Sequence, residues 1–359
     1  MLSNNNCNFS QFGIVGYIEG KFLMDQADIT YVSYNGTFNE FGIVGLASIQ
    51  CLTLQLSNAN IDFTMLENKI GQNVSSLIGT QQSHQWIINQ IFINNSKIYG
   101  VRSGFICGQS DKNGTINNII VTNSVVISNG TSYHAFAGGI TGIVLLNSKV
   151  DFHYISIISC QISSFGLNIW NSHSGGIIGE QLQYSQIIIS NSQVANDTVS
   201  AKCNVSVPYT GGIIGKTWAF TNLSNSIINN NTINSSQQSI NRSYSGGFIG
   251  QVQDGYFPKT YLYNNTNQLT NIFSYAEQQS IAGGIISHLN NTYCEIIFVT
   301  IQNIIITCQS QLIQAKLTFN YLLGSIILQD SQTKGVNNIN NVQIMNCLKL
   351  TNIESQSGC

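Results

Sequence analysis

The residues best able to do chemistry in this chain are a lysine and a threonine behind a glycine-rich segment. Residues 211–217 read GGIIGKT. A phosphate-binding loop of the form G-x-x-x-x-G-K-[ST] needs glycine where this chain has Thr210. Related segments put other residues at the position of Lys216, namely Glu180, Gln251 and His288. We therefore interpret the segment as a structural corner that carries one lysine.

The histidines are the next candidates, because imidazole is a common metal ligand. The five histidines are His84, His134, His153, His173 and His288. A metal ladder would need them in one register of neighbouring repeats. His134 lies four residues before its glycine pair and His173 only two residues before, so their registers differ. We predict no metal site and expect these side chains to be exposed or in loops.

The carboxylates are few and scattered. A glycosidase needs two acids roughly 5–9.5 Å apart. Asp25 and Asp28 are close in sequence, but residues three apart in a strand point to opposite faces. Glu180 directly follows one glycine segment and Asp254 lies four residues after another, so they need not meet. We predict no catalytic, cofactor-binding or metal-binding residues, and we keep a carbohydrate-active enzyme, a lyase or hydrolase, as the alternative hypothesis.

The composition narrows the class of protein. Charged residues make up 8% of the chain, against roughly 25% in an ordinary globular protein. A net charge of −2 gives no basic surface for nucleic acid. In stacked β-coils, identical side chains lie about 4.8 Å apart, so like charges repel. Asn and Ser can hydrogen-bond in such columns instead, which favours a stacked β-structure.

Internal repetition is the strongest signal in the sequence. A short apolar run bracketed by glycines recurs, with the form GGIIG in its clearest copies. Successive copies lie roughly 29 to 40 residues apart, which is the range expected of solenoid repeats. The anchors fall at residues 13–16, 42–45, 76–79, 104–108, 138–142, 175–179, 211–215, 246–250, 283–287 and 323–326.

A second element follows each anchor, an apolar–polar strand that ends in Asn and a small residue. Aligning these strands predicts one buried column of small side chains, formed by Ala59, Ser96, Ser124, Cys160, Ser192, Cys308 and Cys347. The column assigns three of the nine cysteines to packing. None of the nine forms a Cys-x-x-Cys pair, which argues against zinc-ribbon and thioredoxin-type sites.

These patterns predict an all-β chain in which residues 1–359 form a single β-solenoid domain. Period-two patterning with β-branched residues indicates strands, and helical periodicity is missing. One repeat per coil, stacked in parallel, gives a right-handed parallel β-helix of nine to ten coils. A β-propeller is the alternative, but its blades need about 40 residues or more.

The GGIIG anchor, followed by an Ile-rich strand and Asn-Ser or Asn-Cys, resembles the GLUG repeat. The resemblance covers nearly the whole chain and is clearest from Gly138 to Ser287. GLUG repeats occur in bacterial surface adhesins, in stalks of secreted peptidases and in Asn- and Ile-rich protist proteins, and this chain is similar to the protist variety. The resemblance implies a β-solenoid scaffold at the cell surface or outside the cell. It carries over no catalytic residue.

Functional expectations follow from the surface residues. The sequence contains fourteen Asn-x-Ser/Thr sequons, among them Asn113, Asn129 and Asn196, which indicate a glycoprotein or simply polar turns. Aromatic residues near the corners could stack on sugars or pack in the core; they include Tyr133, Phe136, Tyr184, Trp218, Phe220, Tyr256 and Phe257. We predict a non-enzymatic adhesion or structural surface scaffold, with glycans or cell-surface molecules as partners. A degenerate repeat protein without selected binding activity is a third hypothesis.

The sequence also bears on location and assembly. No apolar stretch reaches the length of a membrane span, and no secretory signal is visible near Met1. The missing signal argues against secretion unless this chain is a fragment of a longer protein. Open solenoid ends lead us to expect that the natural protein extends further or that this chain self-associates.

Overall fold

A computed structural model describes residues 11–12, 15–30, 33–36, 40–62, 65–68, 73–130, 134–167, 171–237, 242–253, 259–276, 279–289, 293–310, 327–329, 337–345 and 348–353. Every regular element in these residues is a β-strand. The strands pair in parallel from one repeat to the next. This confirms the predicted parallel β-solenoid and replaces the propeller alternative.

Three sheets run along the rod. The anchor sheet contains the nine strands that precede the glycine anchors: Gln11–Phe12, Glu40–Phe41, Asn73–Ser75, Arg102–Gly104, Ala135–Gly138, Ser172–Gly175, Pro208–Gly211, Arg242–Gly246 and Gln279–Gly283. The return sheet contains the ten strands that close the coils: Ser33–Gly36, Met65–Asn68, Lys97–Gly100, Val125–Gly130, Gln161–Gly166, Thr198–Cys203, Thr232–Gln237, Asn271–Ala276, Ile305–Ser310 and Leu348–Ile353.

The face sheet contains the 24 strands between them. Its strands are Val15–Asp25, Asp28–Thr30, Val44–Asp62, Ile78–Gln81, Gln85–Asn94, Cys107–Ser110, Asn113–Thr122, Thr141–Val144, Lys149–Ile158, Ile178–Gln181, Gln186–Ser190, Gln193–Ala195, Ile214–Thr217, Phe220–Ser224, Ile227–Asn229, Ile249–Val252, Lys259–Tyr263, Thr266–Gln268, Ile286–Leu289, Tyr293–Ile297, Thr300–Gln302, Ile327–Gln329, Asn337–Asn340 and Gln343–Met345.

Each coil crosses the three sheets in the same order. It begins with an anchor-sheet strand, passes through the glycine anchor into the face sheet, and ends with a return-sheet strand. Seven consecutive coils, from Asn73 to Ser310, are described with only short gaps, slightly fewer than the nine to ten coils predicted. Further strands extend the sheets on both sides of these seven coils.

The core follows from simple alternation along the strands. In Gln186–Ser190 the residues Ile187 and Ile189 are fully buried, while their neighbours face outward. Coil after coil repeats this arrangement, so the inward Ile, Val and Leu side chains merge into one apolar cluster along the rod. Burial of this continuous cluster removes apolar surface from water and is the main stabilising term of the fold.

The glycine anchors are required because two backbones meet there. A Cβ atom on Gly175 would lie 1.9 Å from the carbonyl oxygen of Ile178, and one on Gly176 would lie 2.0 Å from that of Gly212 in the next coil. The anchor-sheet strand and the strand after it therefore fold back on each other in a narrow arch. The anchor sheet is buried on both sides, between this arch and the return sheet.

Two corners in each coil are made by residues in the left-handed conformation. Asn118 and Asn123 have φ of 54° and 49°, and Asn191 and Asn196 have φ of 51° and 57°. Asn tolerates this conformation better than most residues with a side chain. The residue after each corner points inward, and its side chain often accepts a hydrogen bond from the backbone of the preceding coil. The Asn-Ser signal in the sequence is therefore a corner signal.

The predicted column of small residues is wrong in register, although its described members Ala59, Ser96, Ser124, Cys160, Ser192 and Cys308 are all buried. Ser96, Ser124 and Cys160 do stack at the second corner. The residue stacked on Cys160 is Asp197, because Gln161 pairs with Thr198. Ser192 belongs to the first corner, and Cys308 pairs with Ser274 in the return sheet. Cys347 lies outside the described residues.

Substituting Gly175 with Ala should destabilise the protein by at least about 1–3 kcal/mol, because a methyl group cannot fit between the two backbones of the arch. Equilibrium unfolding in guanidinium chloride measures the change. The matched control is Ser174→Ala, since Ala137 and Ala282 occupy the same register in other coils. Equal unfolding midpoints for the Gly175→Ala variant and the wild type would contradict the close approach described above.

Candidate functional site

Ionisable side chains collect inside the arch. Lys216 stands in the strand Ile214–Thr217, and its neighbours in register are Glu180 in the preceding coil and Gln251 in the following coil. His288 follows Gln251. The predicted equivalence of these four positions is thus confirmed. The Lys216 side chain lies inside a strand and is buried, which fits a corner segment and not a phosphate-binding loop opening a helix.

Five residues form a group that we call the arch cluster: His173, Glu180, Tyr209, Lys216 and Trp218. His173 Nδ1 lies 3.4 Å from Glu180 Oε1, and the Trp218 indole Nε1 donates a hydrogen bond of 2.9 Å to the same oxygen. The Lys216 ammonium lies 4.5 Å from the centre of the Tyr209 ring and 4.3 Å from that of Trp218. Both contacts are in the range of cation–π interactions.

The ionisable side chains of the arch cluster are almost completely closed to water, while Trp218 is partly exposed. His173, Glu180 and Lys216 are 2%, 5% and 4% exposed. Both ring nitrogens of His173 are inaccessible to solvent. A substrate could reach neither the imidazole nor the carboxylate without opening the arch. On an exposed surface, such a His–Glu pair would suggest acid–base catalysis. Here the pair is buried and forms part of the packing inside the rod.

Burial and charge set the protonation of the arch cluster. Burial lowers the pKa of His173 more than Glu180 raises it, so the imidazole is neutral. Burial would raise the pKa of Glu180, but His173, Lys216 and the Trp218 hydrogen bond together lower it to about 2. Burial lowers the pKa of Lys216 to about 8, against the opposing effect of Glu180. At neutral pH, the Glu180 carboxylate and the Lys216 ammonium are the two buried charges.

Polar side chains occupy the same registers in other coils, although Phe136 and Ile143 interrupt them in the coil before His173 and Glu180. Arg102 donates a hydrogen bond of 2.7 Å to Gln109 Oε1, and Asn73 donates one of 2.8 Å to Thr80. Farther along, the Gln251 side-chain amide lies 2.9 Å from His288 Nδ1. The side chains in this column change identity from coil to coil. Like charges are thereby never stacked on one another in adjacent described coils.

The structure corrects the expectation for the histidines. His173 lies in the strand Ser172–Gly175 and His288 in Ile286–Leu289, and both are buried where exposed or loop positions were expected. The register difference between His134 and His173 is confirmed, because His173 pairs with Phe136. Across the described residues, no group of three His, Cys, Asp or Glu side chains could hold a metal ion.

A second buried carboxyl lies at the second corner of one coil. The backbone N–H of Cys160 donates to Asp197 Oδ1, while Asp197 Oδ2 has no partner among the described residues. The next coil has Asn231 in the same place, which accepts from the Asp197 N–H at 2.8 Å and donates to the Val194 carbonyl at 2.9 Å. Burial raises the pKa of Asp197 to about 8, against the lowering effect of its backbone hydrogen bonds. The carboxyl is therefore protonated at neutral pH.

The cysteines and the remaining acids behave largely as packing and surface residues. Cys107, Cys160, Cys203, Cys294 and Cys308 are buried, which confirms the packing role for those five. Asp25 accepts a hydrogen bond of 2.8 Å from Ser57 and Asp28 begins a separate strand. Asp254 lies outside the described residues.

No described helix is long and apolar enough to cross a membrane.

The outer face of the face sheet carries an aromatic strip, which we define as Phe220, Tyr261, Tyr263, Tyr293 and Phe298. The rings of Phe220 and Tyr261 are 5.7 Å apart, and those of Tyr261 and Tyr293 are 5.9 Å apart. Tyr263 and Phe298 form an edge-to-face pair at 6.1 Å and are 44% and 51% exposed. Sequence reasoning singled out only Phe220 among these, because the other four lie on strands and corners whose register it did not resolve.

The other corner aromatics divide between the core and the surface. Phe136 is buried, with its ring tilted by 59° to that of His173 at 5.2 Å between ring centres, and the partly buried Trp218 packs in the arch cluster. Core or corner packing is therefore confirmed for these two. Tyr184 is 46% exposed at a turn. Tyr133, Tyr256 and Phe257 lie outside the described residues.

Searches for related proteins add no identity. No family model, curated protein or solved structure matches this sequence. The resemblance to the GLUG repeat therefore stays a prediction.

Replacing Glu180 with Gln should destabilise the protein by about 3 kcal/mol, because Lys216 would be left as a buried charge without its carboxylate. Lys216→Gln should cost less, and the double variant should recover part of the loss, since Gln251 shows that an amide fits this column. Unfolding free energies of the four proteins give the coupling. The control is Asp151→Asn, whose partly exposed pair with Lys149 at 4.0 Å should contribute little. Strictly additive effects would show that the two buried charges are not coupled.

Replacing Asp197 with Asn should stabilise the protein increasingly as pH rises from about 4 to about 8. In that window the folded chain binds a proton at Asp197 that the unfolded chain releases, so the wild type loses stability with rising pH. The gain should reach on the order of 2–4 kcal/mol and level off above the folded pKa. The mirror variant Asn231→Asp should show the opposite sign. Unfolding curves across this pH range measure the stability of both variants. Parallel plots of unfolding free energy against pH for the wild type and Asp197→Asn would contradict a protonated Asp197 in the folded chain.

Proposed function

We propose that this chain is a non-enzymatic β-solenoid that acts as an adhesion or structural surface scaffold, at the cell surface or outside the cell. The observation that carries the proposal is the division of side chains between inside and outside. The arch cluster closes its ionisable groups away from solvent, whereas the face sheet presents amides, hydroxyls and aromatic rings along the rod. Such a surface suits contact with extended partners more than turnover of a small substrate.

Three features support this proposal. The corner asparagines form ladders, in which Asn264 donates to Asn225 at 2.8 Å and Asn230 donates to Asn196 at 2.8 Å. Among the sequons, Asn113, Asn129 and Asn196 are exposed, as glycosylation would require. Ile344 and Met345, on the face-sheet strand Gln343–Met345, are 41% and 40% exposed. Self-association through this apolar surface is part of the proposal.

Beads coated with the full chain test the proposal. We expect saturable attachment to cells or to extracellular matrix, with no change in the chain length of polysaccharides incubated with the protein. Beads coated with heat-unfolded chain are the control. Attachment no better than this control would refute the adhesion role. Polysaccharide cleavage proportional to protein concentration would overturn the non-enzymatic assignment in favour of a carbohydrate-active protein.

A further inference from the structure

We infer that the aromatic strip is a binding site for an uncharged, extended polysaccharide that lies along the axis of the rod. This inference names the ligand class of the proposed surface scaffold and rests on that proposed function. It is carried by the placement of the rings, by the polar groups between them and by the balance of charge on the face.

The rings come from successive coils, so they repeat along the rod. Phe220, Tyr261 and Tyr293 stand on the face-sheet strands of three consecutive coils. Their planes are tilted by 49° and 54° to one another, so they do not cover each other in a parallel stack. Outward alternation in the strands keeps all three on the solvent side.

The spacing suits a polymer of sugars. Coils stack about 4.8 Å apart, which is close to the length of one residue in an extended β-linked polysaccharide. Successive sugars of such a chain would meet successive rings, and the C–H faces of pyranose rings pack against aromatic faces. Burying these rings under a ligand also removes apolar surface from water, which strengthens the contact.

Polar groups border the rings on both sides. Tyr293 Oη donates a hydrogen bond of 3.1 Å to Glu295 Oε2. Asn222 and Tyr261 are neighbours in register, and Tyr263 pairs with Ser224. Hydroxyl, amide and carboxylate groups at the edge of an aromatic surface are the partners that sugar hydroxyls need.

The charge of the strip favours a neutral ligand. Lys259 pairs in register with Tyr293, and Glu295 pairs with Tyr261, so one cation and one anion stand among these rings on neighbouring strands. The two charges cancel, so neither a polyanion nor a polycation gains a net attraction. A second copy of this protein would bury the same rings, and sedimentation distinguishes that partner from a polysaccharide.

Affinity electrophoresis of the full chain through gels containing hydroxyethylcellulose, xylan or laminarin tests the inference, with polygalacturonate as the anionic comparison. We expect retardation by at least one neutral polysaccharide. Tyr261→Ala and Tyr293→Ala should each weaken binding about tenfold, while Tyr261→Phe should keep most of it because the ring remains. Tyr184→Ala removes an exposed tyrosine at a turn outside the strip and should bind as the wild type does.

Thermal melting confirms that each variant is folded, which outward-facing residues should tolerate. Failure of every neutral polysaccharide to bind the folded chain would overturn the inference, as would unchanged binding by Tyr261→Ala. A dimer seen by sedimentation and lost in Tyr261→Ala would assign the strip to a second copy and also overturn it.

These outcomes remain distinct from those for the proposed function. If coated beads attach to cells but no polysaccharide binds, the scaffold stands and the glycan site fails. If a polysaccharide binds at the strip and is cleaved, the site stands and the non-enzymatic role fails.

Discussion

In-register stacking of one coil on the next is the constraint on which the rest of this structure depends. Parallel backbone hydrogen bonds hold each coil on its neighbour, so every side chain lies on its counterpart. Apolar columns merge into one core, and amide columns at the corners form ladders. A column of identical charges would repel along the whole rod. The scarcity of charged residues in the sequence has its physical cause here.

The arch shows how buried charge is tolerated under this constraint. Glu180 is stacked between Ile143 and Lys216, so its carboxylate never faces another carboxylate in an adjacent coil. Trp218 and His173 complete its surroundings. Unlike neighbours also distinguish one register of the coils from another, because a slip by one coil would bring Glu180 and Lys216 beside different partners. Buried polar groups are known to fix register in other assemblies, which makes specificity a reasonable role for this cluster.

The two surfaces of the face sheet have different roles. Its inward side supplies isoleucines to the core, while its outward side carries polar and aromatic side chains. Aromatic rings accumulate on that outward side from Phe220 to Phe298, while Leu223, Leu262 and Ile296 in the same strands are buried on the inward side. A rod of this kind presents a long row of equivalent positions, which suits repetitive partners more than compact ones.

The sequence alone determined the anchors, the parallel class and the equivalence of Lys216 with Glu180, Gln251 and His288, because each rests on a spacing that repeats along the chain. It could not determine which corner an Asn-small pair occupies. Each coil has two left-handed corners five residues apart, such as Asn118 and Asn123, and both are followed by an inward side chain. Local sequence cannot separate the two corners. The sequence alignment therefore places Cys160 in the column of Ser192, whereas the structure stacks Cys160 on Asp197. Only the tertiary structure decided which distant residues meet, because the arch and the aromatic strip join side chains through stacking between coils and not through neighbourhood in the chain.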